Sequence, residues 1–196
     1  MRKSDRELLK ELYELTELNV KRIERYSRQY ASPVINQYRY ALGHLIGAGE
    51  EASCEINGVK ALAHLREAYY DSCDILLDWL ICSGKYYFEN VSEVKGLSAI
   101  CGIDEYEYRL ALKRAKEDRF APDEARTARA EERYARIADS IKRLCEYQNQ
   151  IRDNRFSIWK ECERYKRNLR REIFFKIIIA VVTLVASLLS LHMYWR

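Results

Sequence analysis

Apolar residues recur at helical spacing over almost the whole chain, and strand-like alternation is hard to find anywhere. Near the start, Ser4 followed by Glu7 has the form of a capping box, and Leu8, Leu12, Leu15, Ile23, Tyr26 and Tyr30 then keep to one broad face. This predicts a first helix from about Asp5 to Tyr30. Ser32 and Pro33 suit the cap and first position of a second helix, carried to about Glu55 despite Gly43, Gly47 and Gly49. Asn57-Gly58 reads as the turn into a third, the most apolar soluble segment, with Leu62, Leu65, Tyr69, Leu76, Leu80 and Tyr87 as its core positions.

A loop through Gly96 and Gly102 leads to Asp104, which can cap a short helix ending near Asp118. Pro122 then opens a pattern that meets no further proline or glycine. As one continuous helix it would extend about 110 Å. Within it Tyr134, Ile137, Ile141, Leu144, Ile151, Ile158, Cys162, Tyr165 and Leu169 alternate near three and four residues apart, interrupted by Gln148 and Arg155. Such a face can pack on the bundle or zip against copies of the same chain.

From Ile177 to Trp195 no formal charge occurs if His192 is neutral. A helix of that length reaches about 28 Å, close to the hydrocarbon thickness of a bilayer. Its only polar positions are Thr183, Ser187 and Ser190, fewer than the polar stripe of a globular helix. Tyr194 and Trp195 suit an interfacial belt, and Lys176 can snorkel at the other end. Lys160, Arg164, Lys166, Arg167, Arg170, Arg171 and Lys176 precede the apolar run, whereas only Arg196 follows it. That asymmetry predicts a single-pass protein of the inner (cytoplasmic) membrane with its N-terminal part in the cytoplasm. The N-terminal stretch lacks the apolar centre of a signal peptide, so the expected form is tail-anchored.

The fold class expected is all-α: a cytoplasmic antiparallel helical bundle over residues 1–121, a long amphipathic helix over 122–172 and a transmembrane anchor over 173–196. With two prolines and seven glycines in 196 residues, composition agrees. The six cysteines are scattered, without a C-x-x-C pair or zinc-finger histidines, and read as reduced thiols, mostly in the core. No glycine-rich phosphate loop or nucleophile elbow occurs, so nucleotide-dependent and common hydrolase chemistries lack their motifs. Nothing in the pattern requires a cofactor or a metal.

The basic segment before the apolar run suits anionic membrane lipid; interleaved Glu161, Glu163 and Glu172 and the lack of a stacking platform weaken an RNA reading there. The third helix carries His64, Glu67, Asp71, Asp74 and Asp78 at spacings of three and four. This acidic stripe lacks the paired Glu-x-x-His of di-iron bundles, which leaves a solvated face or salt bridges to Lys21, Arg22, Arg25 and Arg28.

One short motif carries possible chemistry. In "QYRYALGHLIGAG", Arg39 and His44 form an R-x4-H pair: a histidine can move a 2′-hydroxyl proton, and an arginine can hold a phosphate as charge builds. "RYALGH" resembles the R-x4-6-H signature of HEPN domains, although Tyr40 stands where the family often has a small polar residue. With the apolar C-terminal run, the chain resembles small membrane-anchored accessory or effector proteins of bacterial antiviral systems that carry divergent HEPN domains. The resemblance implies metal-independent ribonuclease chemistry at Arg39 and His44, a homo-oligomer that sets two motifs face to face, and RNA or an RNA-guided effector complex as partner. A non-enzymatic scaffold or pore-forming module is the alternative. There Arg39 pairs with Asp74 or Asp78 across the helix 2–helix 3 hairpin; Asp71 beside His44 would serve either reading.

Overall fold

The computed structural model describes residues 3–47, 54–91, 97–120 and 130–194, and among them every regular element is a helix. These are α1 (Lys3–Ser27), α2 (Ser32–Gly47), α3 (Cys54–Asn90), α4 (Leu97–Cys101), α5 (Glu105–Arg119), α6 (Ala130–Asp153) and α7 (Arg155–Tyr194). Two units divide the chain: Met1–Tyr87 with Asp104–Asn149, and Phe88–Ile103 with Gln150–Arg196. The boundary expected at 121–122, the Pro122 helix start and the capping side chain of Ser4 lie outside what is described.

The first unit is a helical bundle. Leu9 and Leu12 of α1, Ala41 of α2 and Leu65 of α3 form one buried cluster, joined by half-buried Leu8, Tyr38, Leu62 and Tyr69. Below it, Ile23, Leu76, Leu77, Leu80, Ile137, Ile141 and Leu144 are fully enclosed. Polar pins fix the packing. Asn19 donates to Ser72 Oγ at 3.1 Å, Tyr26 donates to Asn149 at 3.0 Å, and Ser83 donates to Gln148 at 3.0 Å. Asn19 and Ser72 are themselves buried, so each hydrogen bond also spares a desolvated polar group.

Element ends follow local chemistry. Helix α1 stops at Ser27, earlier than Tyr30, because Arg28 enters the left-handed region at φ 58° and Ser27 Oγ accepts from the amide of Gln29. Asp104 caps α5 as expected, accepting from the amides of Tyr106 and Glu107 at 2.9 and 3.1 Å. Helix α2 ends at Gly47 rather than near Glu55, and Asn57-Gly58 is not the turn: both residues lie inside α3. A Cβ on Gly47 would stand 3.3 Å from Asn57 Nδ2. The pair therefore serves close approach of α2 and α3 rather than chain reversal.

The last pattern is also not one continuous helix. It is interrupted at Asn154, where the side-chain amide and the backbone amide both donate to the carbonyl of Gln150, at 2.9 and 3.2 Å. Tyr134, Ile137, Ile141 and Leu144 are buried within the first unit, so this part of the heptad-like face packs inside the chain and is not free to zip copies together. Beyond the break, Ile158 is buried, α4 packs on α7, and Tyr165 and Leu169 are exposed. Helix α7 then runs on through the apolar segment. Its most apolar 18-residue window has mean hydropathy 2.5 and none of it is buried.

Candidate functional site

Helix α2 is held to the bundle by Val34 and Ala41, both buried. That orientation decides what its polar residues meet. His64 Nδ1 lies 2.8 Å from Gln37 Oε1, an acceptor oxygen, so the ring nitrogen is the donor of this hydrogen bond. His44 stacks on the other part of the group: its ring lies 5.3 Å from that of His64 with planes only 9° apart, and Tyr40 tilts against His64 at 5.4 Å. Two of the three histidines in the chain thus sit together, half-buried, between α2 and α3.

Arg39 is not part of this stack. It is exposed and makes no ion pair or hydrogen bond among the described residues. Five positions along a helix separate two side chains by about 140° around the axis, so Arg39 and His44 leave α2 in different directions. Within one chain the two residues of the motif are not brought together.

The expected pairing of Arg39 with Asp74 or Asp78 is overturned, because other arginines hold both acids. Arg119 at the end of α5 grips Asp78 with two hydrogen bonds of 2.9 Å and reaches Asp74 at 3.6 Å. Arg133 of α6 lies 3.9 Å from Asp74 Oδ1, and Tyr134 donates to Asp74 Oδ2 at 3.3 Å. With α3 beginning at Cys54, the residues of α3 that face α2 shift toward its N-terminus, and His44 meets His64 instead of the neighbourhood of Asp71. Asp74 and Asp78 of the acidic stripe find their cations on α5 and α6, not at Lys21, Arg22 or Arg25 of α1 or at Arg28 just beyond it.

Arg133 is the residue that sequence reasoning missed. Only 3% exposed, it donates to the carbonyls of Asp118 and Arg119, both at 3.2 Å, and its guanidinium lies 4.9 Å above the Tyr134 ring. It closes the C-terminal end of α5, where carbonyls lack helical partners. Burial, with Asp74 next, pushes the Tyr134 hydroxyl up to about 12. The hydrogen bond to Asp78 raises Arg119 further above its ordinary range. The one available signal was an arginine placed inside an apolar spacing, next to Tyr134.

Among the described residues no three histidine, cysteine or acidic side chains converge as they would around a metal ion. Cys73, Cys101 and Cys145 are buried and outside any disulfide, and burial pushes the Cys73 thiol up to about 12, far from a reactive thiolate. Comparisons with protein-family models, with curated proteins and with solved structures find no match to this chain.

Proposed function

We propose that this protein is a single-pass membrane protein whose helical bundle works in the cytoplasm, held at the inner membrane by the apolar part of α7. One observation carries the reading. Ile177, Ile178, Ile179, Val181, Val182, Leu184, Val185, Leu188 and Leu189 cover roughly 220° of the helix circumference and each is exposed, and the remaining arc, with Ala180, Thr183, Ser187 and Ser190, is not buried either. At about 1.5–3 kcal/mol per buried side chain, transferring the isoleucines, valines and leucines from water into hydrocarbon is worth on the order of 20 kcal/mol. Thr183, Ser187 and Ser190 do not oppose it, since each hydroxyl donates to the carbonyl four residues earlier within the helix. The excess of lysine and arginine before the span supports the cytoplasmic placement of the bundle.

Fractionation tests this. Full-length protein should resist extraction from membranes by alkaline carbonate, and a chain cut before Lys176 should leave the membrane. A reporter fused after Arg196 should be found outside the cytoplasm. Full-length protein that stays in solution without detergent would refute the anchor.

A second reading rests on Arg39 and His44. Asp74 and Asp78, the carboxylates expected to hold Arg39, are occupied by Arg119 and Arg133, which leaves Arg39 in solvent, and His44 stacks on His64 rather than meeting Asp71. This supports a HEPN-like effector role in antiviral defence, with RNA cleavage across a homo-oligomer or within an RNA-guided effector complex. The competing reading is a non-enzymatic scaffold or pore-forming module. His44→Ala and Arg39→Ala should keep the fold and abolish RNA degradation or cellular toxicity. A well-folded His44→Ala protein with undiminished biological activity would end the HEPN-like reading.

A further inference from the structure

The charges of α7 before its apolar part do not cancel evenly. Between Glu161 and Lys176 stand three acids and six bases. Glu161 is paired with Arg164 at 3.6 Å, Glu163 with Lys166 at 3.4 Å and Glu172 with Lys176 at 2.7 Å. Arg167, Arg170 and Arg171 remain, exposed and without a partner among the described residues. The surplus positive charge of the segment is concentrated on these three guanidinium groups.

Helix geometry places them together. Positions 167, 170 and 171 fall within about 100° of one another around the axis and within about 6 Å along it. The same arc continues downward into the apolar segment. Phe174, 62% exposed, lies between them in angle and about one turn further along, and Ile177 and Ile178 follow on that side. The Glu172–Lys176 pair falls on the opposite side of the helix, so no carboxylate interrupts the stripe below Arg171. Glu163, a turn above on the same side, is held by Lys166.

A strip with three forked cations at one end and a phenyl ring and branched alkyl groups at the other is complementary to an amphiphile with an anionic head. We infer that Arg167, Arg170 and Arg171 form a binding site for the phosphate-bearing headgroup of an anionic phospholipid, whose acyl chain lies along Phe174, Ile177 and Ile178. Each guanidinium can engage phosphate oxygens through paired donors, which a lysine cannot do. The apolar continuation selects a lipid over a free phosphate or a nucleic acid, neither of which has anything to place against Phe174. The inference rests on the membrane-spanning reading of α7 and adds a lipid class to it.

The test uses the full chain reconstituted in nanodiscs of equal parts phosphatidylcholine and phosphatidylglycerol, followed by mild detergent re-extraction and quantitation of the lipid retained. Carbonate resistance is measured first for every variant. The wild type should retain phosphatidylglycerol over phosphatidylcholine. Each of Arg167→Gln, Arg170→Gln and Arg171→Gln should lower that preference by about fivefold, the factor expected for one basic side chain at an anionic surface. Arg164→Gln, whose charge is spent on Glu161, should leave it unchanged. In discs of phosphatidylcholine alone, millimolar inorganic phosphate should not bind measurably. Insertion without phosphatidylglycerol preference, a preference untouched in the triple glutamine variant, or phosphate binding in lipid-neutral discs would overturn the lipid site while leaving the anchor intact. Failure of the wild type to insert would overturn both.

Discussion

Replacing Arg133 by methionine tests how much of the bundle depends on one buried cation. The substitution keeps an unbranched apolar side chain over Tyr134 and removes the guanidinium. Lost are the donors to the Asp118 and Arg119 carbonyls and to the Tyr134 hydroxyl, the cation over the Tyr134 ring, and the charge 3.9 Å from Asp74 Oδ1, a buried atom that already lacks a hydrogen bond. Breaking one partner of a buried ion pair costs about 3–5 kcal/mol, and the low end, about 3 kcal/mol, applies because the Asp74 side chain is a quarter exposed and keeps Arg119 and Tyr134. Trp79, stacked on Tyr26 at 5.3 Å inside the first unit, reports unfolding once Trp159 and Trp195 are changed to phenylalanine. With a slope of about 2 kcal/mol per molar urea, the midpoint should fall by about 1.5 M. Arg136→Ala is the matched control: one turn along α6 it pairs with Asp118 at 3.1 Å but is mostly exposed, and should cost less than about 1 kcal/mol. Asp74→Asn placed in the Arg133→Met background should recover part of the loss, since the unmatched charge goes with it. The reasoning fails if Arg133→Met unfolds at the same urea concentration as Arg136→Ala.

Two further outcomes follow from packing and from titration. At Gly84 a Cβ would come within 2.7 Å of both methyls of Leu112 and 3.0 Å of the Tyr108 hydroxyl, so Gly84→Ala should destabilise by about 1–3 kcal/mol despite its better helix propensity; an unchanged urea midpoint would refute the close α3–α5 contact. Partial burial, then Glu67 and Asp74, hold the Asp71 carboxyl above its ordinary range. The folded chain therefore binds this proton more tightly than the unfolded one, and its contribution to stability falls as pH rises through that raised range. Asp71→Asn should raise the urea midpoint at pH 7 and lose that advantage near pH 3, whereas a lower midpoint at pH 7 would mean that Asp71 has a favourable partner.

The features legible in the sequence were those with short-range causes. Asp104 caps α5 because one side chain reaches amides two and three residues on, and the apolar part of α7 declares itself by the absence of charge. Asn57-Gly58 misled because the same dipeptide suits both a turn and a close contact between helices, and only the position of Gly47 decides between them. Asn154 shows the converse. An asparagine in a strongly helical pattern carries no obligatory stop signal, yet α6 ends just before Asn154, whose side-chain and backbone amides share the Gln150 carbonyl.

The error at the candidate site was an error of register. A turn at Asn57-Gly58 would set Arg39 opposite Asp74 and Asp78, but Asn57 and Gly58 both lie inside α3, and it is His64 that meets α2 at Gln37, Tyr40 and His44. Arg119 and Arg133 hold Asp74 and Asp78, and Arg39 makes no ion pair or hydrogen bond among the described residues. His44 differs, because its stack on His64 and, through that ring, the hydrogen bond to Gln37 tie it to the α2–α3 contact. Of the two, the histidine touches the α2–α3 contact, whereas Arg39 stands in solvent. Any chemistry that uses both must bring them together across two chains or at a bound substrate, since the helix itself holds them apart.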